Sequence, residues 1–247
     1  MLAIIGSWKR PSSPSLAGIV RLFFRQAWAE LRVSVKKRVD FRRQENDAAL
    51  AAYAAMSVEE FEGINARQRW ADWRTIPRSL RGRLPDGPVR AIDLCSGAGD
   101  STEVLAWYLP FGSEILGLEF NRALVEAARD RVYVRSDGGR AIVGFRAQSV
   151  LNAFRGVDGD CVQAETIDLV NCCGALGIHF DAEGVGRIAA ETRRVLKPGG
   201  IACVDAGREG VRREAMEALF MASGFQPVGA VKSCFLDRFT HLTFVRR

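Results

Sequence analysis

Apolar runs and helical periodicities take turns along residues 89–247. Val89, Ala91, Ile92 and Leu94 form a short apolar run that predicts a buried parallel strand. Gly97, Ala98 and Gly99 predict a tight turn, and Asp100 opens a helical stretch over 101–109. Residues 114–120 contain a second strand that ends in the acid Glu119, and 121–132 read as a helix. A third strand is predicted over 141–145, with Gln148 and Ser149 at its exit, and a fourth over 167–171, leading into Cys172, Cys173 and Gly174. A helix over 183–196 is stopped by Lys197, Pro198, Gly199 and Gly200, a sharp turn into a fifth strand over 201–205. A helix over 209–222 then ends at Gly224 as a left-handed cap would. Two last strands, about 228–235 and 239–245, are joined by few residues and so pair antiparallel. Repeated strand–helix units predict an α/β, doubly wound, mostly parallel seven-stranded sheet, with its ligand at the carboxyl ends of the strands.

The first 87 residues follow a different pattern and predict an N-terminal helical extension, with the sheet domain over 88–247. Residues 1–15, with Pro11 and Pro14 among serines, read as a lead. From about 16 to 44 the pattern is helical, with Arg21, Arg25, Arg32, Lys36 and Arg43 in one stripe. Leu16, Ile19, Val20, Phe23, Phe24, Ala27 and Leu31 cluster on the broad opposite side. Such a basic amphipathic helix suits an anionic membrane surface or nucleic-acid phosphates. It equally suits an ordinary helix that docks its apolar face on the body and leaves its arginines in water. Ser57 and Glu60 make a capping box for a short helix, and a helix over 65–74 is expected to close at Pro77. Trp70 and Trp73 share one face of it, placed either to roof an acceptor pocket or to fill core.

Composition narrows the class. At 48% hydrophobic and 26% charged, the 247 residues suit a globular α/β core with a smaller appendage. No apolar run approaches the ~20 residues that span a bilayer, and the apolar start is too brief for a secretion signal. The six cysteines lack metal-ligand spacing and read as reduced thiols, which suits a cytoplasmic protein, peripheral at the membrane if the basic helix docks there. The segment 16–44 holds eight Lys/Arg against Glu30 and Asp40, as much as the whole net charge of +6, so the basicity belongs to the N-terminus.

The spacing of the glycine turn narrows the ligand. A dinucleotide fingerprint would need glycine at both Cys95 and Asp100, or at Thr102, and a phosphate-cradling loop would need a Gly-Lys-Ser/Thr that is missing. What remains, Asp93-x-Cys95-x-Gly97-x-Gly99, resembles the first motif of the class I, Rossmann-like S-adenosylmethionine (SAM)-dependent methyltransferases, with Cys95 at the first glycine. The likeness extends over 88–247 through Glu119, Gln148 and Ser149, the turn at 196–200 and the C-terminal antiparallel pair. It implies SAM as cofactor, with Asp93, Cys95, Ser96, Gly97, Ala98 and Gly99 forming the cofactor turn. It also implies that Glu119 accepts the ribose hydroxyls, that Phe120 stacks on adenine, and that Gln148 and Ser149 meet the adenine edge. Asp93 would orient the turn and reach the methionine ammonium through water, and Asn171 would lie where the fourth strand meets the methyl donor. Asn171 to Gly174 is not the Asn/Asp-Pro-Pro-aromatic pattern of exocyclic-amine methylation, and no Pro-Cys of cytosine-C5 enzymes occurs.

His179, just past the fourth strand, is placed to be the base for an acceptor that must lose a proton, or else to cap the next helix beside Asp181. His241 reads as structural. Asp168 and Asp205 lack a third ligand, so no metal is predicted. The expected function is methyl transfer to a small or lipid-like acceptor. The alternatives are an RNA methyltransferase using the basic helix and a non-catalytic SAM-binding protein. An anionic membrane surface is the partner considered first for that helix, nucleic acid second.

Overall fold

The computed structural model describes residues 15–38, 47–207, 210–234 and 239–247. Among the described residues four helices precede the first strand: α1 (Leu16–Lys37), α2 (Asp47–Ala54), α3 (Val58–Ile64) and α4 (Gln68–Leu80). Then follow β1 (Arg90–Leu94), α5 (Asp100–Tyr108), β2 (Glu114–Glu119), α6 (Arg122–Arg129), β3 (Ile142–Ala147) and β4 (Ile167–Cys172). The chain closes with α7 (Leu176–His179), α8 (Ala182–Val195), β5 (Leu196–Ala206), α9 (Arg213–Ala222), β6 (Phe225–Val231) and β7 (Thr240–Arg246).

The strands form one seven-stranded sheet in the order β3-β2-β1-β4-β5-β7-β6. The first five are parallel to their neighbours, and β7 runs antiparallel between β5 and β6. Strand order reverses between β1 and β4, so a crevice opens beyond their carboxyl ends. Four of the five residues of β1 are buried, as a central strand covered on both faces requires. Alternate residues serve opposite layers: Ile92 and Leu94 pack towards Val185, Ile188 and Phe220 of α8 and α9. Ala91, Ile115 and Leu169 pack towards α4 and α5 through Trp73, Ile76, Leu80 and Leu105. Trp73 is therefore core, and neither it nor Trp70 lines the cavity at the carboxyl ends of the strands.

Several predicted boundaries move. β3 runs two residues beyond the expected 145, because it pairs with β2 as far as Glu119 opposite Ala147. The turn at 196–200 is absorbed into β5: Ile167 pairs with Leu196, then Leu169 with Ile201, so the glycines form an irregular excursion within a paired strand. Pro77 does not end its helix but sits inside α4. The missing N–H costs one bond, while Ile76 and Leu80, at 0% and 4% exposed, hold the last turn in the core. The helix expected from 209 begins at Arg213, and residues 208–209 lie outside the described residues, as does 235, the expected end of a strand.

The basic helix ends at Lys37, where Arg38 turns left-handed and its N–H bonds the carbonyls of Ser34 and Val35. The expected lead before Ser15 and most of the stretch after it, Arg43 included, lie outside the described residues. α1 meets the body through a small cluster of Val33, Met56 and Ile64, with Ala29, Tyr53 and Phe61 alongside. Arg67 also lies over the Phe23 ring at 4.8 Å.

Candidate active site

The turn after β1 carries three residues in the left-handed region, Cys95 (φ 53), Gly97 (φ 52) and Gly99 (φ 91). Two are glycines, which take this conformation freely; Cys95 takes it at a cost. The bare faces of the glycines are filled from within the protein rather than left for a ligand. A Cβ at Gly97 would run into the Phe61 ring of α3, and one at Gly99 into the Tyr133 hydroxyl. Gly97, Ala98 and Gly99 are thus packed under neighbours, and only Cys95 and Ser96 of the turn line the cavity beside it. Arg131 braces the turn from behind, donating to the Ala98 carbonyl at 2.6 Å and to Asp100 at 2.8 Å.

Asp93 and Asn171 also sit behind the cavity wall rather than on it. Both are 0% exposed, and the Asn171 amide donates to Asp93 Oδ1 at 2.8 Å. The hydroxyls of Ser101 and Thr102 donate to Asp93 Oδ2 at 2.7 and 2.6 Å. This bracket ties β1, β4 and the start of α5 together. Burial raises the Asp93 carboxyl, and the three hydrogen bonds pull it back.

The cavity itself measures about 430 Å³ and lies over the carboxyl ends of β1, β2 and β4. Glu119 ends β2 on its floor. Its Oε2 accepts from the Gly97 N–H at 3.0 Å and its Oε1 from the Asn121 N–H at 2.9 Å. Each carboxylate oxygen has a second lone pair, so each can still take one hydroxyl donor. Phe120 stands next to it, half-exposed on the cavity edge. Gln148 and Ser149 line the wall beyond β3, and the Gln148 N–H donates to the Glu119 carbonyl at 2.8 Å. Six of the expected cofactor residues therefore converge on the cavity: Cys95, Ser96, Glu119, Phe120, Gln148 and Ser149.

His179 lines the same cavity from the end of α7, its ring edge-on to Tyr53 at 4.8 Å. Burial alone pushes it down to about 4, so it is a neutral imidazole at pH 7. It does not cap the next helix: Asp181 does that, accepting from the Gly184 N–H at 2.7 Å. Asp205 holds the segment that carries His179, accepting from the backbone N–H groups of Ala175 and Gly177 at 3.2 and 3.3 Å.

Three contributions to the site have no sequence motif. Tyr53 and Phe61 roof the cavity from α2 and α3, and Asn121 ties that roof to β2 by donating to the carbonyls of Tyr53 and Met56 at 2.8 and 3.1 Å. Asp72 of α4 lines the cavity at 1% exposure, bonded by the Gln68 amide at 2.7 Å. Burial raises its carboxyl well above the usual range. A carboxyl in helix α4, far along the chain from the glycine turn, offers no spacing to read.

The lining suits SAM on its own chemistry. SAM carries a sulfonium and an ammonium against one carboxylate, so it is a net cation. The described lining includes the acids Asp72, Asp100 and Glu119 and neither Lys nor Arg. Asp100 is already paired with Arg131, but Asp72 and Glu119 have only neutral donors. Ser96 Oγ is buried without a hydrogen-bond partner among the described residues, lying against Gly117 of β2.

No curated protein matches the sequence. A family model described as a methyltransferase domain matches residues 91–200, from β1 into β5. Among solved structures, a TehB-like SAM-dependent methyltransferase from Corynebacterium glutamicum superposes with a TM-score of 0.56 at 16% identity, over 82% of this chain and 100% of that one. The SAM-bound amino pentose methyltransferase from Micromonospora echinaspora gives 0.56 at 18%, over 78% and 98% of the two chains. The putative methyltransferase bound to the Haloferax volcanii Trm112 activator gives 0.57 at 15%, over 78% and 96%. At these identities the likeness is one of fold. Residues 91–200 thus match a methyltransferase domain, carried on the fold of the SAM-dependent methyltransferases, with an acid-lined cavity at the switch point whose chemistry suits S-adenosylmethionine.

Proposed function

We propose that the chain is a methyltransferase that acts on a small or lipid-like acceptor enclosed in the cavity, with His179 taking the acceptor's proton. One observation carries the reading: most of the cavity wall is apolar, with Asn65, Gln68, Gln148 and Ser149 as neutral polar groups among it. Ala54 and Phe61 from α2 and α3, and Val150, Leu151 and Phe180 from the body, supply its apolar lining. The absence of Lys and Arg from the described lining fits an acceptor without a phosphate chain.

SAM supplies an electrophilic methyl on its sulfonium, and the protein's work is alignment and exclusion of water. In this reading Glu119 accepts the ribose hydroxyls, Phe120 covers the purine, and Gln148 and Ser149 meet its edge. Asp72, whose carboxyl burial raises, gives up its proton to offset the positive charge that SAM brings. His179, neutral at pH 7, is too weak a base to strip an alcohol or amine beforehand. For a hydroxyl acceptor it suffices once the new C–O bond has formed, because the resulting oxonium is far more acidic than its parent; a methylated amine leaves as the ammonium without needing the base.

The test is turnover with methyl-labelled SAM on fractionated extract. Label should enter the organic-soluble or small-molecule fraction; label in RNA or in precipitable protein would overturn the assignment. With an acceptor in hand, His179→Gln should lower kcat about 100-fold and leave SAM affinity unchanged. An unchanged kcat would remove His179 from the chemistry.

A further inference from the structure

The outer surface of α1 divides into sectors that the catalytic reading does not use. Val20, Phe24, Trp28, Leu31 and Val35 recur every three or four residues, so at about 100° per residue they share one sector roughly 80° wide. They are 46%, 73%, 63%, 55% and 70% exposed. Arg21, Arg25, Arg32 and Lys36 fill the adjoining sector and are exposed as well. A third sector faces the body, through Phe23 under Arg67 and Val33 with Met56 and Ile64. Glu30, the one acid of the helix, lies on that side, bonded by Gln26 at 2.8 Å. The apolar side expected from the sequence is thus split, with Phe23 turned inward and Phe24 outward.

We propose that this outer face of α1 rests on an anionic membrane surface, with its helix axis in the membrane plane. The apolar row runs about 22 Å at 1.5 Å per residue, long enough for four turns to enter the boundary between headgroups and acyl chains. Arginines bordering such a row extend their stems along it and place their guanidinium groups at the depth of lipid phosphates. Trp28, apolar with one N–H donor, suits the same depth. Among the described residues no helix is long and apolar enough to cross a membrane, so the contact is one of lying on, not spanning. Nucleic acid would use the arginine sector and leave the apolar row in water. Since α1 contributes no residue to the cavity lining, the proposal stands whatever the acceptor is.

The experiment is flotation of the full chain with vesicles of equimolar phosphatidylglycerol and phosphatidylcholine, and with phosphatidylcholine alone. The chain should float with the mixed vesicles and much less with the neutral ones. Phe24→Ser with Trp28→Ser should cut the bound fraction about tenfold or more. Arg25→Glu with Arg32→Glu should abolish the preference for anionic lipid. SAM binding by each variant, which the cavity governs, confirms that it is folded. No flotation with mixed vesicles, or unchanged flotation of Phe24→Ser/Trp28→Ser, overturns the proposal. So does RNA binding that only the arginine changes remove, or a solution dimer that Phe24→Ser/Trp28→Ser dissociates in place of vesicle binding.

Discussion

Replacing Asp205 by asparagine should change how stability depends on pH. Asp205 is 3% exposed, and its two oxygens accept from the backbone N–H groups of Ala175 and Gly177. Burial pushes its carboxyl from an ordinary 3.8 up to about 6, against those hydrogen bonds, which act to lower it. Below pH 4 the group is protonated both folded and unfolded and adds no pH dependence. Between pH 4 and 6 the unfolded chain releases its proton first, so the folded state binds more protons and stability falls as pH rises. Above pH 6 both states are ionised and the penalty is constant. A span of about two pH units at 1.36 kcal/mol each makes it roughly 3 kcal/mol. Asparagine stays neutral and escapes that penalty. It turns one amide N–H towards a backbone N–H, so at pH 4 the variant should be the less stable by about 1–2 kcal/mol. Urea unfolding of both proteins from pH 4 to 7 reads the difference directly. It should move in favour of Asp205→Asn by roughly 3 kcal/mol, mostly between pH 4 and 6. A constant difference across that range would show that Asp205 ionises as readily folded as unfolded, and would refute the reasoning.

Two further changes test the floor of the cavity. Glu119→Ala removes two acceptor sites for the ribose, at about 1.5 kcal/mol each, so SAM affinity by titration calorimetry should fall about 100-fold; wild-type affinity would take Glu119 out of that role. At Cys95, held at φ 53, the Gly and Ala variants both lose the sulfur and differ only in backbone freedom. Cys95→Gly should be the more stable of the two by about 1 kcal/mol in urea unfolding, and equal stabilities would mean that the turn relaxes around an alanine.

The sequence by itself determined the elements and the end of the sheet at which the site lies. The apolar run over 89–94, the acid closing β2 and the polar pair after β3 are local signals, each set by residues a few positions apart. Glu119, Gln148 and Ser149 stand on the cavity as that pattern requires. Tertiary structure alone decided what meets across the chain. Asp93 and Asn171, 78 positions apart, face each other because β1 and β4 pair, and that pairing turns both away from the cavity. Phe61 covers Gly97, and Asp72 enters the lining, because α3 and α4 fold back over the crevice. Pro77 stays inside α4 because Ile76 and Leu80 are fixed in the sheet's core. On α1 the apolar surface is wider than one contact can cover, so only the packing against Met56, Ile64 and Arg67 settles which part is left outside. Local preference is a property of a few neighbouring residues, whereas a contact between distant ones depends on every layer packed between them.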